Sequence, residues 1–249
     1  MKIIKHKKGQ FIIFATLIIA IMIISIGTIM YSTVTYFKHE RWQEYLMVID
    51  NIELGSQRVV EISLANYTST FNDTQILINN LNQWQTNLTK AYPGFGVALT
   101  PFNVTLENGN QSINSHISNL TYFSKASANF NFSITSVGLT GYKFVASAFL
   151  GVILNAAYDE NELVIFVAVE KEDSTPVTNL DKDSFFINNT KLDDITNSTL
   201  THFYEMDNGV LRIVYRIVIL NEPELSNVLV AVIDARNISV IANSTVTQS

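Results

Sequence analysis

Hydrophobic residues are concentrated in one uninterrupted run near the start of the chain. The 21 residues from Phe11 to Tyr31 carry no charge, and the next charged residue is Lys38. A helix over this run, at about 1.5 Å per residue, is roughly 30 Å long and matches the hydrocarbon core of a bilayer. The pattern predicts a transmembrane helix over residues 10–37. A buried helix of a soluble protein is the alternative.

A helical period continues through residues 38–93, a region expected to lie outside the membrane. Apolar residues recur there at helical spacing, at Tyr45, Val48, Ile52, Val59 and Ile62. Because no proline lies between Phe11 and Tyr92, one helix is predicted to run to about Leu64, with Gly55 as a candidate bend.

A second amphipathic helix is predicted after Asn72, whose side chain can cap it while Gln75 reaches back. Its apolar stripe consists of Leu77, Leu81, Trp84 and Leu88. Tyr92-Pro93-Gly94 ends the helix. The apolar stripes of the two helices can pack against each other or against a sheet. Alternatively, they can form contacts between the subunits of a filament.

From residue 94 the period changes from helical to two, which predicts β-strands. In the first β region, 94–160, apolar residues from Ala126 to Ile134 alternate with polar ones, so Asn131 should point outward. The second region, 161–249, contains several short apolar strands, and Asp207-Asn208-Gly209 predicts a hairpin turn. Its run Val167-Ala168-Val169, followed by Pro176-Val177, Leu180 and Phe185-Phe186-Ile187, resembles the opening strands of immunoglobulin-like modules in prokaryotic surface proteins. The predicted fold class is therefore α+β, with a long transmembrane helix, an external helical hairpin and an antiparallel β-sandwich.

Composition narrows the functional classes. The chain has 249 residues, a formal net charge of −6 and no cysteine. Its acidity removes the electrostatic basis for binding nucleic acid. Without cysteine, disulfides, iron–sulfur clusters and thiolate zinc sites are excluded.

The charges beside the apolar run predict its orientation. Lys2, Lys5, Lys7 and Lys8 precede the run without any acidic residue. Positive residues stay on the cytoplasmic side. Everything after Lys38 is therefore expected to lie outside the cell.

Asn-x-Ser/Thr sequons support the same orientation. With 25 Asn and 42 Ser plus Thr among 249 residues, chance gives about 4 (25 × 42/249), but 11 are present and none precedes the apolar run. A sequon is a glycosylation acceptor only in a translocated chain. The candidate acceptors are Asn66, Asn72, Asn87, Asn103, Asn110, Asn119, Asn131, Asn188, Asn197, Asn237 and Asn243.

The junction Lys7-Lys8-Gly9-Gln10, followed at once by the apolar helix, resembles the class III signal peptide of archaeal type IV pilin-like proteins, including archaellins. The resemblance covers about 30 residues. It implies a leader at residues 1–9 and a prepilin-type peptidase that cuts after Gly9, before the helix begins, so that Gln10 starts the mature chain. Phe14 stands where bacterial pilins have a glutamate, and many archaeal relatives also lack that acid.

Two other fates of the N-terminus stay open. An uncleaved anchor needs no further signal, and a conventional signal peptidase could cut near Ser25-Ile26-Gly27. Removal of residues 1–9 would leave 12 basic residues (16 − 4) against 22 acidic ones, a net charge of −10.

Motifs for catalysis or metal binding are not found in the sequence. The histidines, at positions 6, 39, 116 and 202, are too far apart for a local metal pair. Two acidic groups, Asp181-Lys182-Asp183 and Asp193-Asp194, could approach a cation at one end of a sandwich, but solvated turns explain them better. We expect no cofactor, no metal and no enzymatic activity.

These observations predict a single-pass membrane protein with a short cytoplasmic N-terminus and an external β-rich part. The resemblance implies a pilin-like structural subunit or minor pilin whose N-terminal helix contacts lipid and other subunits. The alternative is a monomeric membrane protein whose immunoglobulin-like domain binds a glycan or an envelope protein.

Overall fold

The structure is a computed structural model that describes residues 4–70, 73–113, 115–159, 161–220 and 225–248, with side chains except at 4–15 and 37–42. The chain divides into two units, Met1–Ile52 and Glu53–Ser249. The described residues of the first unit are helical, and those of the second contain a helical hairpin and the described strands.

Two helices precede the strands. Helix α1 spans Ile4–Thr70 and α2 spans Ile76–Ala91. The first runs beyond the predicted end at Leu64 and passes through Gly55 without interruption. The predicted cap Asn72 lies outside the described residues. Gln75 makes no side-chain capping hydrogen bond, and the Asp73 carboxylate instead accepts one from the Gln75 backbone N–H, at 3.0 Å.

In the second unit, the end of α1 and α2 form an antiparallel hairpin. The Trp84 indole N–H donates to the Ser56 hydroxyl at 3.0 Å, and the Asn80 amide donates to the Ser63 hydroxyl at 2.9 Å. The predicted stripe of α2 is confirmed, with these residues buried: Leu77, Leu81 and Leu88. The predicted stripe of α1 is wrong at Ile62, which is 58% exposed.

In the part of the chain that the structure describes, eleven strands follow the helices. They are β1 Val97–Ser112, β2 Leu120–Ile134, β3 Leu139–Asp159, β4 Glu162–Lys171, β5 Thr175–Pro176, β6 Phe185–Ile187, β7 Thr190–Lys191, β8 Ser198–Asp207, β9 Val210–Leu220, β10 Asn227–Ile233 and β11 Ser239–Gln248.

The strands form one curled mixed sheet. Its main path is β7-β6-β10-β11-β3-β4-β9-β8, while β1 and β2 attach through β3 and β5 attaches to β4. All pairings are antiparallel except that of β11 with β3. Strand β3 is central because it pairs with β2, β4 and β11. Its apolar segment Leu150–Leu154 is buried on both faces, as expected for an internal strand.

The α+β class is confirmed, and so are two local predictions. Alternate residues of β2 are buried from Ala126 to Ile134, and Asn131 is exposed. The hairpin between β8 and β9 closes through Asn208 and Gly209, both with positive φ. The sheet continues across residue 160, because β3 and β4 pair from Leu150↔Lys171 to Asp159↔Glu162. An immunoglobulin-like sandwich over 161–249 stays a prediction.

Side chains cover the part of β3 that has no second strand beside it. Before Leu150, the described strands pair with β3 only through β2. The Gln57 amide of α1 donates to the Ser147 carbonyl at 2.7 Å and accepts from the Ser147 N–H at 3.2 Å. These bonds join the helical hairpin to the sheet and satisfy an edge that would otherwise be open to pairing.

Candidate functional site

The N-terminal helix is the strongest candidate for a functional element. Its segment Thr16–Tyr36 has 21 residues and is long and apolar enough to cross a membrane. Side chains throughout this segment are exposed, which is costly in water and favourable in lipid. A signal sequence has the same properties. The structure thus agrees with a helix that enters a membrane.

The predicted processing residues Lys7, Lys8, Gly9 and Gln10 lie within the first turns of α1. Their side chains are outside the described part of the structure. The expectation that the helix begins after Gly9 is wrong, because the helical backbone begins at Ile4. A protease that cuts here would first have to unwind these turns, since a cleft binds extended backbone. Glycine favours such unwinding because it weakens the helix by about 1 kcal/mol relative to alanine.

The sequon asparagines share one property, which is exposure. Ten of the eleven lie in the described residues, and all ten are exposed. Asn72 lies outside the described residues. The exposed asparagines are distributed over the helices, the strands and the turns, at Asn66, Asn87, Asn103, Asn110, Asn119, Asn131, Asn188, Asn197, Asn237 and Asn243.

Backbone conformation divides these asparagines into two groups. Four have positive φ: Asn103, Asn188, Asn197 and Asn237. Asparagine tolerates the left-handed conformation better than most residues, so turn geometry alone explains these four. It does not explain the six others. Asn188 also accepts a 3.0 Å hydrogen bond from the Leu229 N–H through its side-chain oxygen, which leaves its nitrogen available for a glycan.

The acidic groups near residue 183 serve turns and an ion pair. Asp181 accepts a hydrogen bond from the Ser184 hydroxyl at 3.1 Å. Asp183 binds the Lys191 ammonium group at 2.9 Å, and this hydrogen bond raises the pKa of Lys191 against a smaller effect of burial. Among the described residues, no group of three or more His, Asp or Glu side chains is arranged to hold a metal ion.

A buried carboxylate, Asp207, gathers polar groups at the end of β8. Its side chain is fully buried, the His116 backbone N–H donates to it at 3.3 Å, and the Arg212 guanidinium lies 3.0 Å away. Burial opposes its ionisation, but hydrogen bonds from Ser115 and His116 and the charge of Arg212 outweigh burial and lower the pKa of Asp207. Arg212 also donates to Glu170 at 3.1 Å.

This cluster contains serine, histidine and aspartate, but not in a catalytic arrangement. In a nucleophilic triad the histidine lies between the serine and the carboxylate. Here Ser115 hydrogen-bonds the carboxylate itself, and the His116 ring nitrogen is 3.8 Å from Asp207 and largely exposed. The cluster therefore anchors the β1–β2 connection to the sheet, where Ile113 and Ile117 pack on buried Ile153.

Arg236 forms a second ionic cluster that sequence reasoning missed. It donates to Asp234 and Glu172, both at 2.7 Å, and to the Phe149 carbonyl of β3 at 3.0 Å. Glu61 of α1 lies 3.9 Å away. Burial opposes the charge of Arg236, but the bonds to Glu172 and Asp234 outweigh it and raise its pKa. The cluster connects the β10–β11 turn, β3 and α1, and therefore has a structural role.

Apolar and aromatic side chains are exposed on the hairpin of β8 and β9. Strand β8 is the last in the main path of the sheet. Tyr204 and Met206 are 65% and 64% exposed, and His202, Phe203 and Leu211 are exposed beside them. His202 lies in this strand, as expected from the sequence. An edge strand with exposed aromatic residues can pair with another protein.

Comparison with known proteins returned no match. No protein-family model matches the chain, and no curated protein and no solved structure matches it significantly. The resemblance of the first 30 residues to pilin-like proteins therefore stays a prediction, and function has to be argued from the residues.

Proposed function

We propose that the protein is a membrane-anchored, externally oriented surface protein that acts as a pilin-like structural subunit or minor pilin. One observation carries the proposal, namely the junction Lys7-Lys8-Gly9-Gln10 directly before an apolar helix. A basic pair and a glycine at this point are needed for prepilin-type processing and not for a plain anchor. The partners are membrane lipid, a prepilin-type peptidase and other copies of the chain.

The exposed helix supports a role in assembly. Between Thr16 and Tyr36 no side chain is charged, so the segment is equally suited to lipid and to identical helices. Small residues let apolar helices approach closely, and this segment contains several, at Thr16, Ala20, Ser25, Gly27 and Ser32. In a filament these helices would pack together away from water, while the β-rich unit faces outward.

The sequons support the external location. All ten described acceptor asparagines are exposed, and none of the eleven precedes the apolar run. A translocated chain presents each of them to the glycosylation machinery. The proposed location is the cell membrane, with residues 1–9 cytoplasmic and the β-rich unit outside, either in a filament or alone.

A second candidate function is binding. In this alternative the protein is a monomeric single-pass protein whose predicted immunoglobulin-like domain, 161–249, binds a glycan or an envelope protein. The exposed side chains on β8 and β9, including Tyr204 and Met206, favour it. Neither candidate involves catalysis.

The mass of the native N-terminus tests the proposal. In the source cells we expect the chain to begin at Gln10. Gly9→Val should retain Met1, since a branched side chain cannot replace glycine beside the cut, while Gly27→Ala, which meets no atom within 4 Å, should be processed normally. An intact Met1 in the wild type, or a start near Thr28, would refute processing after Gly9.

Shearing separates the two candidates. Processed protein that leaves sheared cells in sedimentable filaments supports the structural subunit. Processed protein that stays in the membrane as a monomer supports the binding module.

A further inference from the structure

The helical hairpin of the second unit carries a groove between α1 and α2. It has a volume of about 210 Å³ and is lined by Val59, Ile62, Asn66, Asn80, Gln83, Trp84 and Asn87. Four of these side chains are amides and one is an indole. This combination suits a sugar, because the C–H face of a pyranose packs on an aromatic ring and its hydroxyls pair with amides.

The size of the groove limits what it can hold. Pockets for drug-sized ligands measure roughly 300–1,000 Å³. At about 210 Å³ this groove is smaller, and it has room for about one sugar ring. The occupant is therefore a single residue of a carbohydrate and not an oligosaccharide lying along the helices.

Hydrogen bonds between α1 and α2 hold the groove together, and some of its polar side chains remain available to a ligand. The Trp84 indole N–H is bound to Ser56 and the Asn80 amide to Ser63. Gly55 lets the Trp84 ring lie directly on α1, since a Cβ there would be 2.4 Å from the ring. Within the described part of the chain, no residue hydrogen-bonds the side-chain amides of Gln83 and Asn87.

Two of the lining residues, Asn66 and Asn87, begin sequons. Ser56 lies opposite Trp84 and Ser63 opposite Asn80. In this antiparallel register, Asn66 and Asn87 stand near opposite ends of the groove. Helical side chains lean toward the N-terminus of their own helix. Both asparagines therefore lean toward the centre of the groove.

We propose that the first sugar of an N-linked glycan on Asn87 packs in this groove against Trp84. This inference rests on the proposed function, because only an external domain is glycosylated. Trp84 is three residues before Asn87 and on the same helix face, so the ring lies within reach of the sugar. The residues at the corresponding positions before Asn66 are Ile62 and Ser63, which offer no aromatic surface.

The proposal has a consequence for assembly. A glycan on Asn87 covers Trp84 and Ile62, the latter 58% exposed without it. This face of the hairpin is then closed to another copy of the chain and has to face outward in any filament.

Fluorescence of Trp84 tests the proposal. The chain has two tryptophans, so Trp42→Phe in the full-length protein leaves Trp84 as the only one. Thr89→Ala removes the Asn87 sequon and keeps Asn87 itself, while Thr89→Ser preserves the sequon. Among the described residues, the Thr89 hydroxyl hydrogen-bonds only its own helix, at the Thr86 carbonyl. Each protein is produced in a glycosylating host, and glycopeptide mass spectrometry measures occupancy.

We expect Asn87 to be occupied in the wild type and in Thr89→Ser. Acrylamide quenching of Trp84 should rise about twofold in Thr89→Ala, because the sugar no longer covers the open face of the ring. Equal quenching of Trp84 in Thr89→Ala and in wild type with a glycan on Asn87 would overturn the proposal. Shielding of Trp84 that depends on protein concentration would also overturn it, because it would indicate a second copy of the chain in the groove. An empty Asn87 beside other occupied sequons would overturn this proposal alone. Unoccupied sequons throughout, together with an intact Met1 in the source cells, would overturn the proposed function as well.

Discussion

At the scale of single residues, turn chemistry was predictable from the sequence and ionic partners were not. Asn208 and Gly209 have positive φ as the hairpin motif requires, because this preference is local. The ion pair of buried Asp207 and half-buried Arg212 joins the end of β8 to β9, and Asp207 also binds a connection about 90 residues earlier. The sequence signal was weak, because Arg212 is one of two arginines, with Arg216, in the otherwise apolar strand β9.

The Asp207 carboxylate gives a pH-dependent prediction. Asp207→Asn should lower the free energy of unfolding by about 2 kcal/mol at neutral pH, because hydrogen bonds to a charged group contribute roughly that much. Since folding lowers the pKa of Asp207 below its ordinary 3.8, its contribution is complete above that value. It is lost as the pH falls through the lower folded-state pKa.

Chemical unfolding of the detergent-solubilised chain at a series of pH values measures this difference. Wild type and Asp207→Asn should converge in stability in strong acid. Asp159→Asn, at an exposed position, serves as the control and should match the wild type throughout. A gap between wild type and Asp207→Asn that does not depend on pH would show that the charge of Asp207 is unimportant.

At the scale of elements, the existence of both helices was predicted correctly, but the ends of α1 and the buried faces were predicted only in part. The α2 stripe was found because three leucines recur at clear helical spacing. In α1 the buried positions include polar Ser56 and Ser63 beside Val60 and Leu64. Hydrophobicity could not identify this face, because the two serines are buried as hydrogen-bond partners of Trp84 and Asn80.

The contact between Gly55 and Trp84 tests this packing. At an ordinary helix position, Gly→Ala stabilises by about 1 kcal/mol. Gly55→Ala should instead destabilise by about 1–3 kcal/mol, the usual cost of overpacking, because the new methyl group would meet the Trp84 ring at 2.4 Å.

Thermal or chemical unfolding gives the sign of this effect. Gly94→Ala, with nothing within 4 Å of the added carbon, is the matched control and should be nearly neutral. The double variant Gly55→Ala/Trp84→Leu should recover part of the loss, because the smaller side chain makes room. A stabilising Gly55→Ala would mean that the ring does not lie on α1.

At the scale of the whole molecule, the order of elements along the chain was predictable and their pairing was not. The sequence predicted helix followed by strands, with a break near residue 160. However, β3 and β4 pair through that break, and β11, at the end of the chain, pairs in parallel with β3. The pairing of β11 with β3 joins residues about 90 apart, such as Val246 and Ala156, and no local period encodes it. The exposure of Asn131 could be predicted, because it follows from the alternation of side chains along β2.

The lack of cysteine provides a direct test of topology, since each cysteine introduced is the only one in the chain. Thr140→Cys, at an exposed position in the β-rich unit, should react with a membrane-impermeant maleimide on intact cells. Lys5→Cys should stay unlabelled on intact cells and also after lysis, because the proposed cut removes residues 1–9 from the mature chain. An uncleaved anchor would instead label at Lys5→Cys only after lysis. Labelling of Lys5→Cys on intact cells, with Thr140→Cys protected until lysis, would reverse the proposed orientation and exclude a surface role.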